Sequence, residues 1–356
     1  MKFFNIDLHV SVIEDIKHIF NDLGHEVTDW SISGHTWVFD KKSIQNGIIT
    51  QENWKNLDKN MCDVFYDKYK NILSKYDGFI CTYPPTFSLL YEKFDKLIII
   101  VLPIRYEAPF WNNAEKWSQF NEYLQYGIDQ KKIILISNNE YDSNYIYAFI
   151  KRKATCIPNL CEYFNVKYKY NSNNKFLLFS ISNFEELNNS NIYKLNSPFS
   201  WEDFKNFDGI VHVPYNVSVM KIFEQYTANY PLFLPSKNFL NELYFDLYPR
   251  YENGIMTQLT FNRIFQCDPK SAINYYCKYD PNDYNSRDSF NQWIDNFDYY
   301  NINNMPYIQY YENFDHLLEL TKCIPYNELS ELMKEKNIVR KEEIYFKWNF
   351  ILQGIK

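Results

Sequence analysis

The chain has 356 residues, 46% of them hydrophobic and 23% charged, which excludes extended disorder and leaves enough apolar material for two domain cores. Its net charge of −7, with no basic tail or dense Lys/Arg patch, argues against nucleic acid as a partner, because non-specific binding rests on neutralising phosphates. The seven cysteines include no CxxC pair and read as reduced thiols of a reducing compartment rather than a zinc site.

The N-terminal residues have no long apolar core, so no signal peptide is expected. The longest apolar run, residues 97–103, is too short for a transmembrane segment. A soluble cytoplasmic protein is expected. The composition is rich in Asn, Ile, Lys, Tyr and Phe and poor in Ala. That skew reads as an AT-rich coding sequence, as in some large DNA viruses, for which the compartment would be the host cytoplasm.

In chain order, residues 3–8 read as a strand and residues 12–23 as a helix, with Val12, Ile13, Ile16, Ile19 and Phe20 at helical spacing and Gly24 as its stop. Residues 25–30 give a second strand. Residues 31–60 form a polar excursion with one short helix. Residues 61–75 are helical, 76–82 a strand, 87–94 a helix, and 96–103 a uniformly apolar strand suited to burial on both faces. Helices over 115–127 and 143–151 alternate with strands over 132–137 and 155–158. Residues 167–175 are polar and of low complexity, and read as a linker. The alternation then resumes: strands at 176–180, 209–213 and 232–234, helices at 219–228 and 237–247, a helix near 286–295, and a strand at 307–311. Helices follow over 313–320, 324–336 and 341–355. Two α/β halves with parallel sheets and C-terminal helices are the expected architecture.

Candidate site residues follow from position. Asp7 and His9 lie at the end of the first strand, where strand alternation would put them on one face, and a histidine beside a carboxylate suits a base near neutral pH. Arg105 and Glu107 directly follow the apolar strand and suit an anion contact and a base, or else a structural ion pair. Lys175 and Arg250 are weaker phosphate candidates. In residues 211–236, a strand, a polar turn and a helix carry one acid, Glu224, within apolar surroundings, where a carboxylate needs a partner. Asn216 and Ser218 stand just before that helix, as phosphate-holding groups, as N-caps, or both.

The run HVPYNVSVMKIFEQYTANYPLFLPS, with Glu224 seven residues before Pro231 and a strand after it, resembles the donor-site motif of GT-B glycosyltransferases, in particular the retaining GT4-like group. The resemblance implies a GT-B fold. Two Rossmann-like domains would face each other across a cleft: an acceptor domain over 1–168, a nucleotide-sugar donor domain over 176–336, and a last helix over 337–356 crossing back. It implies transfer of a sugar from a nucleotide-diphosphate donor to a hydroxyl of a glycan or other acceptor. Glu224 would accept from ribose hydroxyls, and Asn216, Ser218 and Arg105 would contact the donor. His9, with Asp7 or Glu107, would do acid–base work. Retaining relatives carry a second Glu where this chain has Asn216, and His9 suits inversion, so both stereochemical outcomes stay open. No Asp-x-Asp occurs, so no metal and no resident cofactor are expected. GxGxxG, GxxxxGK[ST] and GxSxG are also missing, which disfavours dehydrogenase, P-loop and hydrolase chemistry. A nucleotide-sugar epimerase and a non-catalytic two-domain binder remain as alternatives.

Overall fold

The computed structural model describes residues 1–110, 113–180, 184–187, 190–195, 200–247, 273–283 and 285–355; Arg250 lies outside them. The chain divides into two compact units. The first comprises Met1–Asn159, Cys267–Cys277 and Lys347–Lys356, and the second Leu160–Gln266 and Lys278–Phe346.

The first unit runs β1 (Lys2–Asp7), α1 (Val10–Asp22), β2 (Glu26–Ser31), α2 (Lys59–Leu73), β3 (Gly78–Cys81), β4 (Leu97–Leu102), α3 (Ala114–Asp129), β5 (Ile133–Ser137), α4 (Glu140–Ile150) and β6 (Thr155–Cys156). All six strands pair in parallel, in the order β2-β1-β3-β4-β5-β6. The sequence explains the pieces. Val12, Ile13, Ile16, Ile19 and Phe20 are the buried stripe of α1, and Gly24, at φ +79°, ends it in the left-handed region that glycine enters freely. Asp58, Asn113 and Asn139 cap the first turns of α2, α3 and α4. β4 is buried from its second residue onward. Two expectations change in type. Residues 31–60 hold two 3₁₀ turns, Thr36–Phe39 and Trp54–Asn56, and Pro85–Phe94 is a 3₁₀ helix rather than an α-helix. Pro84 and Pro85 fix the start of that segment and withhold two backbone donors.

The aromatic surplus serves the core. Phe79 stacks on Tyr91 at 4.3 Å, Phe4 meets Trp30 edge-on at 4.9 Å, and the Tyr91 hydroxyl accepts from the buried Ile6 amide at 2.9 Å. Trp348, from near the chain's end, packs edge-on against Phe20 at 5.1 Å within the same unit.

The second unit runs β7 (Phe176–Phe179), β8 (Ile192–Tyr193), β9 (Gly209–His212), α5 (Met220–Thr227), β10 (Leu232–Pro235), α6 (Lys237–Phe245), α7 (Arg287–Asp295), β11 (Gln309–Tyr311), α8 (Phe314–Cys323) and, as far as Phe346, α9 (Tyr326–Gly354). Its five strands are also parallel, ordered β11-β10-β9-β7-β8. Counted from each unit's first strand, both sheets share the order 2-1-3-4-5. In such sheets ligands bind where the order reverses, at the carboxyl ends of the first and third strands. Those ends are β1 and β3 in the first unit, and β7 and β9 in the second.

Residues 167–175 are not a free linker. Tyr168 donates its amide to Ala228 and its hydroxyl to Asp208, while the Asp208 carboxylate accepts from the amides of Asn171 and Asn174. The units part at Asn159 and Leu160 instead. The two helices expected over 324–355 are one, α9, of 29 residues. Residues 337–340, Asn-Ile-Val-Arg, contain no glycine or proline to stop a helix.

Gly209 opens β9 because nothing larger fits. An added Cβ would lie 2.9 Å from the Phe233 ring and 3.2 Å from the Pro231 carbonyl oxygen. Gly209→Ala is expected to destabilise the second unit by about 1–3 kcal/mol, as overpacking does. Urea unfolding followed by tryptophan fluorescence checks it, and an unchanged midpoint contradicts it.

Candidate functional site

In the second unit the reversal point is built from Phe179 and His212, at the carboxyl ends of β7 and β9. Their rings stack at 5.5 Å, 14° apart. His212 is buried, which pushes its pKa down to about 3, so it is neutral at ordinary pH. Its Nδ1 lies 3.1 Å from Gln225 Oε1. Gln225 is fully buried, and its Nε2 has no hydrogen-bond partner among the described residues. Sequence reading passed over His212, although its place at the end of a strand beside a polar turn was the available signal.

The turn from β9 leads into α5. Asn216 is buried; its Oδ1 accepts from the Val217 amide at 2.8 Å, and its carbonyl accepts from the Tyr299 hydroxyl. Neither Asn216 nor Ser218 caps α5. The N-cap position is Val219, with no side-chain cap, and the first turn carries no acid. The Ile222 amide donates to the Val219 carbonyl at 2.9 Å, so of the first turn of α5 the Met220 and Lys221 amides lie ahead of the helix's own bonding, on the helix that also carries the Lys221 ammonium.

Glu224 is only 3% exposed and has the partners its burial requires. The Tyr163 hydroxyl donates to Oε1, and the Lys221 ammonium lies 2.5 Å from Oε2. That ammonium also sits 3.9 Å over the Trp201 ring, which stacks on Phe164 at 4.1 Å with the planes 3° apart. Tyr163, Phe164 and Trp201 gave no sequence signal, because they converge on Glu224 from distant positions. Lys221 did, standing three residues before Glu224 on the same helix. Lys175 stands apart, its ammonium over the Tyr193 ring at 5.9 Å. A cavity of about 640 Å³ in this unit opens at the other end of α5, lined in part by Thr227, Asn229, Asn337 and Lys341; none of the reversal-point residues line it.

In the first unit, Asp7 is the last residue of β1 and fully buried. Neither carboxylate oxygen makes a hydrogen bond of ordinary geometry, although the Ser31 hydroxyl and the His9 amide lie close enough to favour its ionised form somewhat. Burial first, and the Asp29 charge second, push its pKa well up. Asp29, opposite Asn5 on β2, is itself raised to about 6, mainly by burial. β1 ends before His9, which takes the N-cap position of α1 without a side-chain cap. Strand alternation therefore does not extend to His9, and its ring makes no hydrogen bond to Asp7. Burial pushes the His9 pKa down.

Arg105 and Glu107 are brought together as a buried ion pair at 2.6 Å, each side chain 5% exposed or less. Tyr145 closes the group: its ring lies 3.5 Å from the Arg105 guanidinium carbon, its hydroxyl accepts from Nη2 and donates to Glu107 Oε1 at 3.1 Å. Asp142, in the first turn of α4, is nearby and buried. Burial raises its pKa to about 7, against the pull of the Asn139 amide and Arg105. A carboxyl raised in the folded state lends stability that is present in full below its unfolded pKa of 3.8 and lost as pH rises through about 7. Asp142→Asn is therefore expected to flatten the fall in stability between those pH values and to be the more stable protein at pH 8, by on the order of 2 kcal/mol. Melting temperatures across the range check it; parallel profiles contradict it.

Among the described residues, no three His, Cys, Asp or Glu side chains are grouped to hold a metal ion, and no helix is long and apolar enough to cross a membrane.

No protein-family model and no curated protein sequence matches the chain. Among solved structures, the glycotransferase of kitacinnamycin is similar at 8% identity and a TM-score of 0.46, over 99% of this chain and 98% of that one. MurG of Acinetobacter baumannii is similar at 8% identity and a TM-score of 0.43, over 97% and 98%. The glycosyltransferase SnogD of Streptomyces nogalater is similar at 10% identity and a TM-score of 0.36, over 66% and 81%.

Proposed function

We propose that this chain is a glycosyltransferase that moves a sugar from a nucleotide-diphosphate donor to an acceptor hydroxyl. The observation that supports it most is Glu224: a buried carboxylate on the short helix after the reversal-point strand, paired with the Lys221 ammonium of the same helix. In this reading Glu224 accepts hydrogen bonds from the ribose. The first-turn amides of α5, with Lys221, face the diphosphate, whose charge grows as the glycosidic bond breaks, and fixed donors stabilise it at that moment. Asn216 and Ser218 line the same turn and contact the donor. In the first unit His9, half-buried at the N-cap of α1, can accept the proton of the acceptor hydroxyl. Asp7 makes no hydrogen bond to the His9 ring, so it supports the strand end rather than orienting that base. Arg105 and Glu107, closed on each other and on Tyr145, hold the loop after β4 and are given no chemistry. No metal is invoked.

The test is incubation with a panel of UDP-, GDP- and TDP-sugars, followed by chromatography of the products. Release of nucleoside diphosphate supports transfer. Interconversion of donor sugars without release favours an epimerase, and binding without turnover favours a non-catalytic binder. The absence of any binding overturns all three.

A further inference from the structure

The way Glu224 is covered has its own implication. Its carboxylate is 3% exposed, and its two oxygens face the Tyr163 hydroxyl and the Lys221 ammonium. A ribose presents two neighbouring hydroxyls and reaches this carboxylate only if one cover moves. Lys221 belongs to α5 and is also placed over the Trp201 ring at 3.9 Å. Tyr163 lies outside any helix or strand, in a segment that Leu160, through the Thr227 hydroxyl at 2.6 Å, and Glu162, through Lys341 at 2.6 Å, tie to its surroundings. Its hydroxyl is chemically what a ribose hydroxyl is, a neutral O–H donor to a carboxylate.

We propose that Tyr163 is an internal competitor of the donor: its hydroxyl occupies the ribose position on Glu224 and must be displaced for a nucleotide to bind. This rests on the reading of Glu224 as the ribose acceptor. It adds a regulatory contact, since whatever holds residue 163 in place sets the affinity for nucleotide. The displaced hydroxyl returns to water, while Glu224 exchanges one O–H donor for another. The competition therefore lowers affinity without altering the contacts of the bound state.

The experiment is calorimetric titration of UDP, GDP and ADP into the full chain and into Tyr163→Phe, which removes the hydroxyl and keeps the ring. The expected result is about ten-fold tighter binding by the variant for whichever nucleotide binds, since hydrogen bonds to charged groups are of that size. In the Glu224→Gln background the same change should have little effect, because the competition runs through the carboxylate. Binding that first becomes measurable in Tyr163→Phe would support the proposal equally. Weaker or unchanged binding by Tyr163→Phe, with the wild type binding normally, overturns it and makes Tyr163 a residue that positions Glu224; the donor-site reading would survive. If neither protein binds any nucleotide, both fall. Near-ultraviolet circular dichroism of each variant confirms that the fold is kept.

Discussion

Glu224→Gln is expected to weaken nucleoside-diphosphate binding about ten-fold and to suppress sugar transfer, while leaving the second unit folded. The substitution conserves shape and removes the charge. Hydrogen bonds to charged acceptors contribute about 1.5–3 kcal/mol each, against roughly half that for neutral ones. One ribose hydroxyl replaces the Tyr163 hydroxyl on the carboxylate, so only the second loses that difference, which amounts to about one power of ten in affinity. The structural loss is smaller. The amide still accepts from the Tyr163 hydroxyl, and the Lys221 side chain, 27% exposed, is left to solvent and the Trp201 ring. Calorimetry with the nucleotide that binds best, together with a thermal melt, checks both halves. Wild-type affinity in the variant would remove Glu224 from the site. Loss of binding together with a collapsed melt would make it a core residue only.

The largest expected stability effect lies in the first unit. Arg105→Met should cost about 3–5 kcal/mol, because it strands Glu107 in a site where its side chain is 5% exposed. For a protein of this size that corresponds to a fall in Tm of roughly 10 °C. The sign of its pH dependence follows. Without the guanidinium, burial would raise the Glu107 pKa above its unfolded value. The stranded carboxyl would then be tolerated at low pH, and the deficit would grow as pH rises through the raised value. A double change, Arg105→Met with Glu107→Leu, should recover most of the loss, because a buried pair replaced by apolar groups of similar volume is often neutral. Melts of the three variants at pH 5 and pH 8 check this; a pH-independent deficit in Arg105→Met would point to lost packing against Tyr145 instead.

Much of the fold was legible because parallel α/β units leave plain marks. The Leu97–Leu102 run, the α1 stripe ending at Gly24, and the Pro231 and Pro235 brackets of β10 each fixed an element to within a residue or two. The misreadings came from weaker local signals. Polar composition at 167–175 looked like a linker, whereas the Asp208 carboxylate, more than thirty residues later, collects the amides of that stretch. The break imagined within 324–355 had no breaker residue behind it. Candidate positions, whose roles are proposed above, were legible where they followed from one strand end or one helix, as with Glu224, Asn216 and His9. What surrounds them was not. Tyr163 and Trp201 meet at Glu224 through tertiary folding alone, and the closed Arg105–Glu107–Tyr145 group depends on a tyrosine that α4 delivers from 38 residues beyond Glu107.

Trp348 has a consequence for the order in which the protein is made. It is 2% exposed and packs on Phe20, which belongs to the first helix of the chain. The core of the first unit therefore lacks a large ring until residue 348 has been synthesised. At about 5–20 residues per second, the wait after Asn159 emerges is on the order of ten seconds or more. Throughout it, the face of α1 around Phe20 stays uncovered in the nascent chain. A ribosome stalled before residue 348 would hold a first unit with an open apolar seam, a natural target for a chaperone.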